Sequence, residues 1–92
     1  MKKPTRASLT TYAEEHDIEL AFLDPAEVFD PAILGVIYGF GQEPAVLYDE
    51  ETVITAMMKD GMSREDAEEF FEFNTIGAYI GPATPRFMRH DA

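Results

Sequence analysis

The chain contains no cysteine, which excludes disulfide staples, thiolate zinc sites and cysteine nucleophiles. It holds only two histidines, His16 and His90, so imidazole acid–base chemistry has just two places to sit. Basic residues are scarce: seven Lys and Arg stand against 18 Asp and Glu, a formal net charge of −11. Long hydrophobic runs are also lacking. The longest, Ala32 to Gly41, falls far short of the roughly 20 residues that a membrane helix requires. Lys2, Lys3 and Arg6 are followed by Leu9 to Tyr12, which is no hydrophobic signal region, so the expected location is the cytoplasm. No G-x-S-x-G, H-E-x-x-H, P-loop or G-x-G-x-x-G is found. Gly39-Phe40-Gly41 begins like a dinucleotide fingerprint but has no third glycine. No catalytic residue, metal ligand or cofactor site is expected, and the chain reads as a non-enzyme.

What is present suits one small domain over 1–92, with 1–7 and 89–92 loose. Hydrophobic residues make up 46% of the 92, an ordinary globular share. A chain of this size buries about 65% of its unfolded surface, enough for one modest core that oligomerisation would usefully extend. The charge is uneven. Lys2, Lys3 and Arg6 make the start basic, and Arg86 and Arg89 make the end mildly so. Between them, residues 11–83 carry seventeen acids against Lys59 and Arg64. Such a body is repelled by nucleic acid and by anionic membranes. It is either a solubilising surface or a face that meets a basic protein.

Ser8 is placed to cap a short helix over Leu9–His16. In Ile18–Leu23 the apolar residues Ile18, Leu20 and Phe22 alternate, as in a half-buried strand, and Asp24-Pro25 stops it. Residues 25–31 read as a loop with Phe29 tucked inward. Ala32–Tyr38 is continuously apolar. Asp30-Pro31 would suit a helix start, but Gly35, Gly39 and the β-branched residues favour a strand. Gly39–Pro44 then connects to a return strand, Ala45–Tyr48. Asp49 caps a helix Glu50–Lys59, with acids in its first turn and Lys59 in its last. Asp60-Gly61 ends it, and Ser63 caps a further helix from Arg64 to Tyr79. Thr84–Met88 is an extended tail able to add an edge strand. Strands and helices are segregated, so the expected class is α+β: a small antiparallel sheet of about three strands covered by two to three helices.

The last helix carries the candidate binding residues. Glu65, Glu68, Glu69 and Glu72 share one face at i, i+3, i+4 and i+7. A solvated outer face is their plain reading; a partner or a divalent cation is the alternative. Ala67, Phe70, Phe71, Asn74 and Ala78 form the stripe expected to meet the sheet, which makes Asn74 a buried amide in need of partners. Phe73, Ile76 and Ile80 fall on the flank between the stripe and the acidic face. That row is either an interface or is covered by the tail. His16, at a helix C-terminus, reads as a solvated cap.

Several stretches together carry a resemblance. They are Phe29-Asp30-Pro31-Ala32-Ile33-Leu34-Gly35-Val36, Gly41-Gln42-Glu43-Pro44-Ala45-Val46-Leu47-Tyr48-Asp49, Asp60-Gly61-Met62-Ser63, Glu72-Phe73-Asn74-Thr75-Ile76-Gly77-Ala78-Tyr79-Ile80-Gly81 and Thr84-Pro85. Over about residues 28–88 the chain resembles a family of small acidic bacteriophage and prophage proteins. Similar sequences carry a short turn in place of Gly39–Pro44, which implies a hairpin. The resemblance implies a phage accessory protein in a bacterial cytoplasm and carries over no catalytic residue. Three functions follow as expectations. The first is binding to a basic host protein, such as a defence or nucleic-acid-binding factor, through Phe73, Ile76, Ile80 and the four glutamates. The second is a structural or assembly role with self-association, including a homodimer. The third is a small carboxylate-based enzyme or metal module.

Overall fold

A computed structural model describes residues 3–76, 81 and 83–90. The molecule is a small α+β fold in which a three-stranded sheet is packed against helices. Helix α1 runs Arg6–Glu15, α2 is the short Ala26–Phe29 and a 3-10 turn covers Asp30–Ala32. Strands β1 (Ile33–Gly39) and β2 (Gln42–Asp49) follow, then α3 (Glu50–Lys59), α4 (Arg64–Phe70), a π-helical stretch (Phe71–Ile76) and β3 (Arg86–Met88).

Helix α1 starts three residues before the expected position. Both Thr5 and Ser8 are capping residues, and they form a reciprocal box: each side chain accepts the other's backbone N–H, at 3.0 and 2.9 Å. At the far end Asp17 takes a positive φ of 54°. The Ile18 N–H then reaches the Ala13 carbonyl at 3.0 Å, closing a Schellman motif in which Asp stands where glycine is usual. The His16 ring stacks on Tyr12 with Nδ1 2.9 Å from the Tyr12 carbonyl, the capping place expected of it.

Residues 18–23 are not a strand. Leu20 and Phe22 of the alternating set do pack on the core, but so does Leu23, which alternation places on the other side. An extended segment can satisfy that pattern without joining a ladder, and here side chains anchor its backbone. Arg6 Nη2 donates to the Leu23 carbonyl at 2.8 Å, and the Leu23 N–H donates to the Tyr48 hydroxyl at 2.9 Å. Arg6 also pairs with Asp30 at 2.9 Å and lies 4.9 Å over the Phe22 ring. Within the segment expected to be loose, then, Thr5 and Arg6 make defined contacts. The expected loop 25–31 contains α2 and the start of the 3-10 turn, and Phe29 is buried as anticipated.

The β1–β2 hairpin forms where the apolar run was read as a strand, but its connection is tighter than Gly39–Pro44. Gly39 pairs with Gln42, and Gly41, at φ 73°, completes the turn with Phe40. Pro44 lies inside β2 at a register shift: between the pairs Ile37–Ala45 and Gly39–Gln42 the second strand holds one extra residue. A bulge is where a strand tolerates a residue with no N–H to donate. The tail does supply an edge strand, and it runs parallel to β2, with Tyr48 opposite Phe87. The sheet is therefore mixed rather than antiparallel. The chain passes through α3, α4 and the π stretch before returning, and a crossover of that kind permits a parallel partner.

Helix α3 has the expected bounds, and Asp49 Oδ2 accepts from the Thr52 N–H at 3.2 Å. Tyr48, Phe71, Ile33, Val46 and Val53 are the largest fully buried side chains. An aromatic chain links the layers: Phe29 edge-on to Tyr48, Tyr48 against Phe87, and Phe87 edge-on to Phe71 at 4.8 Å. No described helix is long and apolar enough to cross a membrane.

Candidate functional site

The last helix does not remain α-helical to Tyr79. It becomes π-helical at Phe71, and residues 77–80 lie outside the described structure. Bonding from i to i+5 widens the turn. The inward positions consequently fall four apart, at Ala67, Phe71 and Thr75, all buried. Asn74, expected in the buried stripe, is exposed, and Phe70 is 43% exposed. Phe73, from the expected exposed row, is 76% exposed. The tail does not cover it, because Phe87 packs on Phe71 instead. The Ile76 side chain and Ile80 lie outside the described residues, as does Ala78.

The acidic face divides in two. Glu65, Glu68, Glu69 and Glu72 are all exposed, but two of them are neutralised. Arg64 Nε reaches Glu68 at 3.3 Å and its Nη2 reaches Glu51 at 2.8 Å. Arg89 donates from Nε and Nη2 to the two oxygens of Glu50, each at 2.8 Å, and approaches Glu72 at 3.5 Å. These pairs line a cleft of about 820 Å³ between α3, α4 and the residues after β3, floored by Ile54 and Phe71. The Arg64 bond holds the Glu51 carboxyl below its ordinary value and raises Arg64 in turn. At the cleft's edge His90 Nε2 bonds Asp49 Oδ1. Burial works to raise the Asp49 carboxyl, but the bonds from Thr52 and His90 outweigh it and lower its pKa. The Thr52 hydroxyl sits on the other Asp49 oxygen, so the carboxylate stands between hydroxyl and imidazole. That order makes a helix cap rather than a nucleophile–base pair. Among the described residues, no group of three or more His, Asp or Glu side chains is arranged to hold a metal ion.

Glu69 lies elsewhere, on a groove that no periodicity marks. Phe70 is its central wall. On one side a hollow of about 450 Å³ is lined by Leu23, Pro25 and Val28 from the segment before and within α2, by Met57 of α3, and by Thr75. On the other side a hollow of about 380 Å³ lies between Met62 and Phe73. Met62, Phe70 and Asn74 belong to both. Asp24, Asp60, Asp66 and Glu69 stand along the two hollows. Asp24 meets Arg6 at 3.4 Å; the other three have no ion pair among the described residues. Helix spacing marks Phe70 and Met57 as inward-facing. Only the packing of α2 and the preceding residues against α3 and α4 shows that they border a groove.

Comparison with known proteins gave no match to any family model, curated protein or solved structure.

Proposed function

We propose that this chain is a phage accessory protein that acts by binding a basic protein of its bacterial host, such as a defence or nucleic-acid-binding factor, in the cytoplasm. The supporting observation is that Phe70 and Phe73 are exposed beside Asp66 and Glu69, whose carboxylates have no cation partner among the described residues. Contiguous large apolar side chains in water mark interaction sites, and charge of one sign beside them selects a partner of the other. The net charge of −11 disfavours nucleic acid and anionic membranes as direct partners. The reading uses no catalytic residue, metal or cofactor.

The test is a pull-down from host lysate with the wild type and with the double variant Asp66→Lys, Glu69→Lys. A basic protein should be retained at low salt, released as salt rises, and lost with the variant. Retention of the same proteins by both forms at every salt concentration overturns the proposal.

A second reading, self-association, is favoured by Phe73, which two-fold symmetry would bury twice. Sedimentation of the wild type and Phe73→Asp checks it. A wild type that stays monomeric at high concentration removes the homodimer.

A further inference from the structure

We infer that the groove on either side of Phe70 seats one amphipathic helix of a partner, with apolar residues on the seated face and Lys or Arg along its flanks. This deepens the protein-binding reading and rests on it. Three observations lead there.

The floor is apolar and belongs to four separate segments. Leu23, Pro25, Val28 and Met57 present apolar surface to the larger hollow, and Met62 and Phe70 line both. Phe70, Met62 and Asn74 are shared by the two hollows, so one occupant filling both must place side chains on either side of these residues. A helix does so with positions i, i+3 or i+4, and i+7.

The rim is of one sign. Asp24, Asp60, Asp66 and Glu69 are exposed, no described Lys or Arg lines either hollow, and only Asp24, which meets Arg6 at 3.4 Å, has an ion pair among the described residues. This distinguishes the groove from the cleft on the other side of α4, where Arg64 and Arg89 already satisfy Glu50, Glu51, Glu68 and Glu72. Charge complementarity therefore selects a basic occupant for the groove and leaves the cleft closed to one.

The walls offer little backbone to pair with. They are largely helical, from α2, α3, α4 and the π stretch, and Leu23 of the non-helical wall already spends its N–H on Tyr48 and its carbonyl on Arg6. An extended peptide entering here would leave its own backbone groups unpaired, whereas a helix brings them already bonded.

The experiment uses the full chain and a labelled peptide of about 18 residues, five turns of helix. In it Leu occupies i, i+3, i+4 and i+7, with Lys and Ala elsewhere. A scrambled peptide of identical composition is the control, and fluorescence anisotropy is the readout. The ordered peptide should bind at least about tenfold more tightly than the scrambled one. Phe70→Asp and the double variant Asp66→Lys, Glu69→Lys should each weaken it about tenfold or more, and Phe40→Asp at the hairpin tip should leave it unchanged. All these positions are exposed, and circular dichroism checks that each variant is folded. Equal binding of ordered and scrambled peptides overturns the groove while leaving a basic partner for the acidic body. Absence of binding by either peptide, even at low salt, overturns both. If Phe70→Asp instead converts a dimer to a monomer and the ordered peptide does not bind, the occupant is a second copy and the inference fails.

Discussion

The Leu23 N–H donates to the Tyr48 hydroxyl at 2.9 Å, joining a segment outside the sheet to a fully buried side chain of its central strand. Tyr48→Phe removes the acceptor and leaves a half-buried backbone N–H without one. The expected loss is about 1–3 kcal/mol in chemical denaturation. Burial raises the Tyr48 phenol above its ordinary value of 10.0. A raised acid favours the folded state below its unfolded pKa and loses that contribution as pH climbs through the folded one. Wild-type stability should therefore hold up to about pH 10 and fall above it, and the Phe variant should lack that part of the decline.

Asp49 gives the opposite slope. Its pKa is lowered on folding, so its contribution is present above about pH 4 and disappears as pH falls through the folded value. Asp49→Ala should cost about 0.5–2 kcal/mol at neutral pH as α3 loses its cap. Asp49→Asn keeps a capping acceptor, so it should retain most of that stability while flattening the acid limb. A denaturation series at several pH values for the three proteins checks both statements.

Asp17 holds a left-handed conformation that costs an L-residue energy. Asp17→Gly relieves it at a helix end where glycine is preferred. Stability should rise by about 0.5–1 kcal/mol, read as a higher melting temperature.

The π stretch separates adjacent phenylalanines. Phe71→Ala, at a position 1% exposed and edge-on to Phe87, should cost about 3–5 kcal/mol. Asn74→Ala, at an exposed position, should change stability by less than about 0.5 kcal/mol. Urea denaturation of both variants decides whether the helix turns as described. A continuous α-helix would bury Asn74, and Asn74→Ala would then cost about 1–3 kcal/mol.

Local chemistry determined a good part of this molecule. The α+β class, the strand in Ala32–Tyr38, the bounds of α3 and the caps at Asp49 and Ser63 could all be read directly, because each depends on contacts within a few residues. The exposure of the four glutamates was legible for the same reason, whereas spacing left Phe73 open between an interface and cover by the tail. Tertiary structure decided the rest. Alternation in Ile18–Leu23 cannot say whether a ladder partner exists; β2 takes β1 and β3 as neighbours, and side chains of Arg6 and Tyr48 hold the segment instead. An α-helical period misplaced Asn74, since nothing local announces the switch to wider turns at Phe71. Glu68, Glu69 and Glu72 look equivalent along the chain. Residues far away in sequence separate them: Arg89 returns beside β2 and reaches Glu72, while the segment around Pro25 comes up against α3 and makes a groove bordered by Glu69. Electrostatic pairing and apolar burial depend on distance in space, and the spacing of residues along one helix does not contain it.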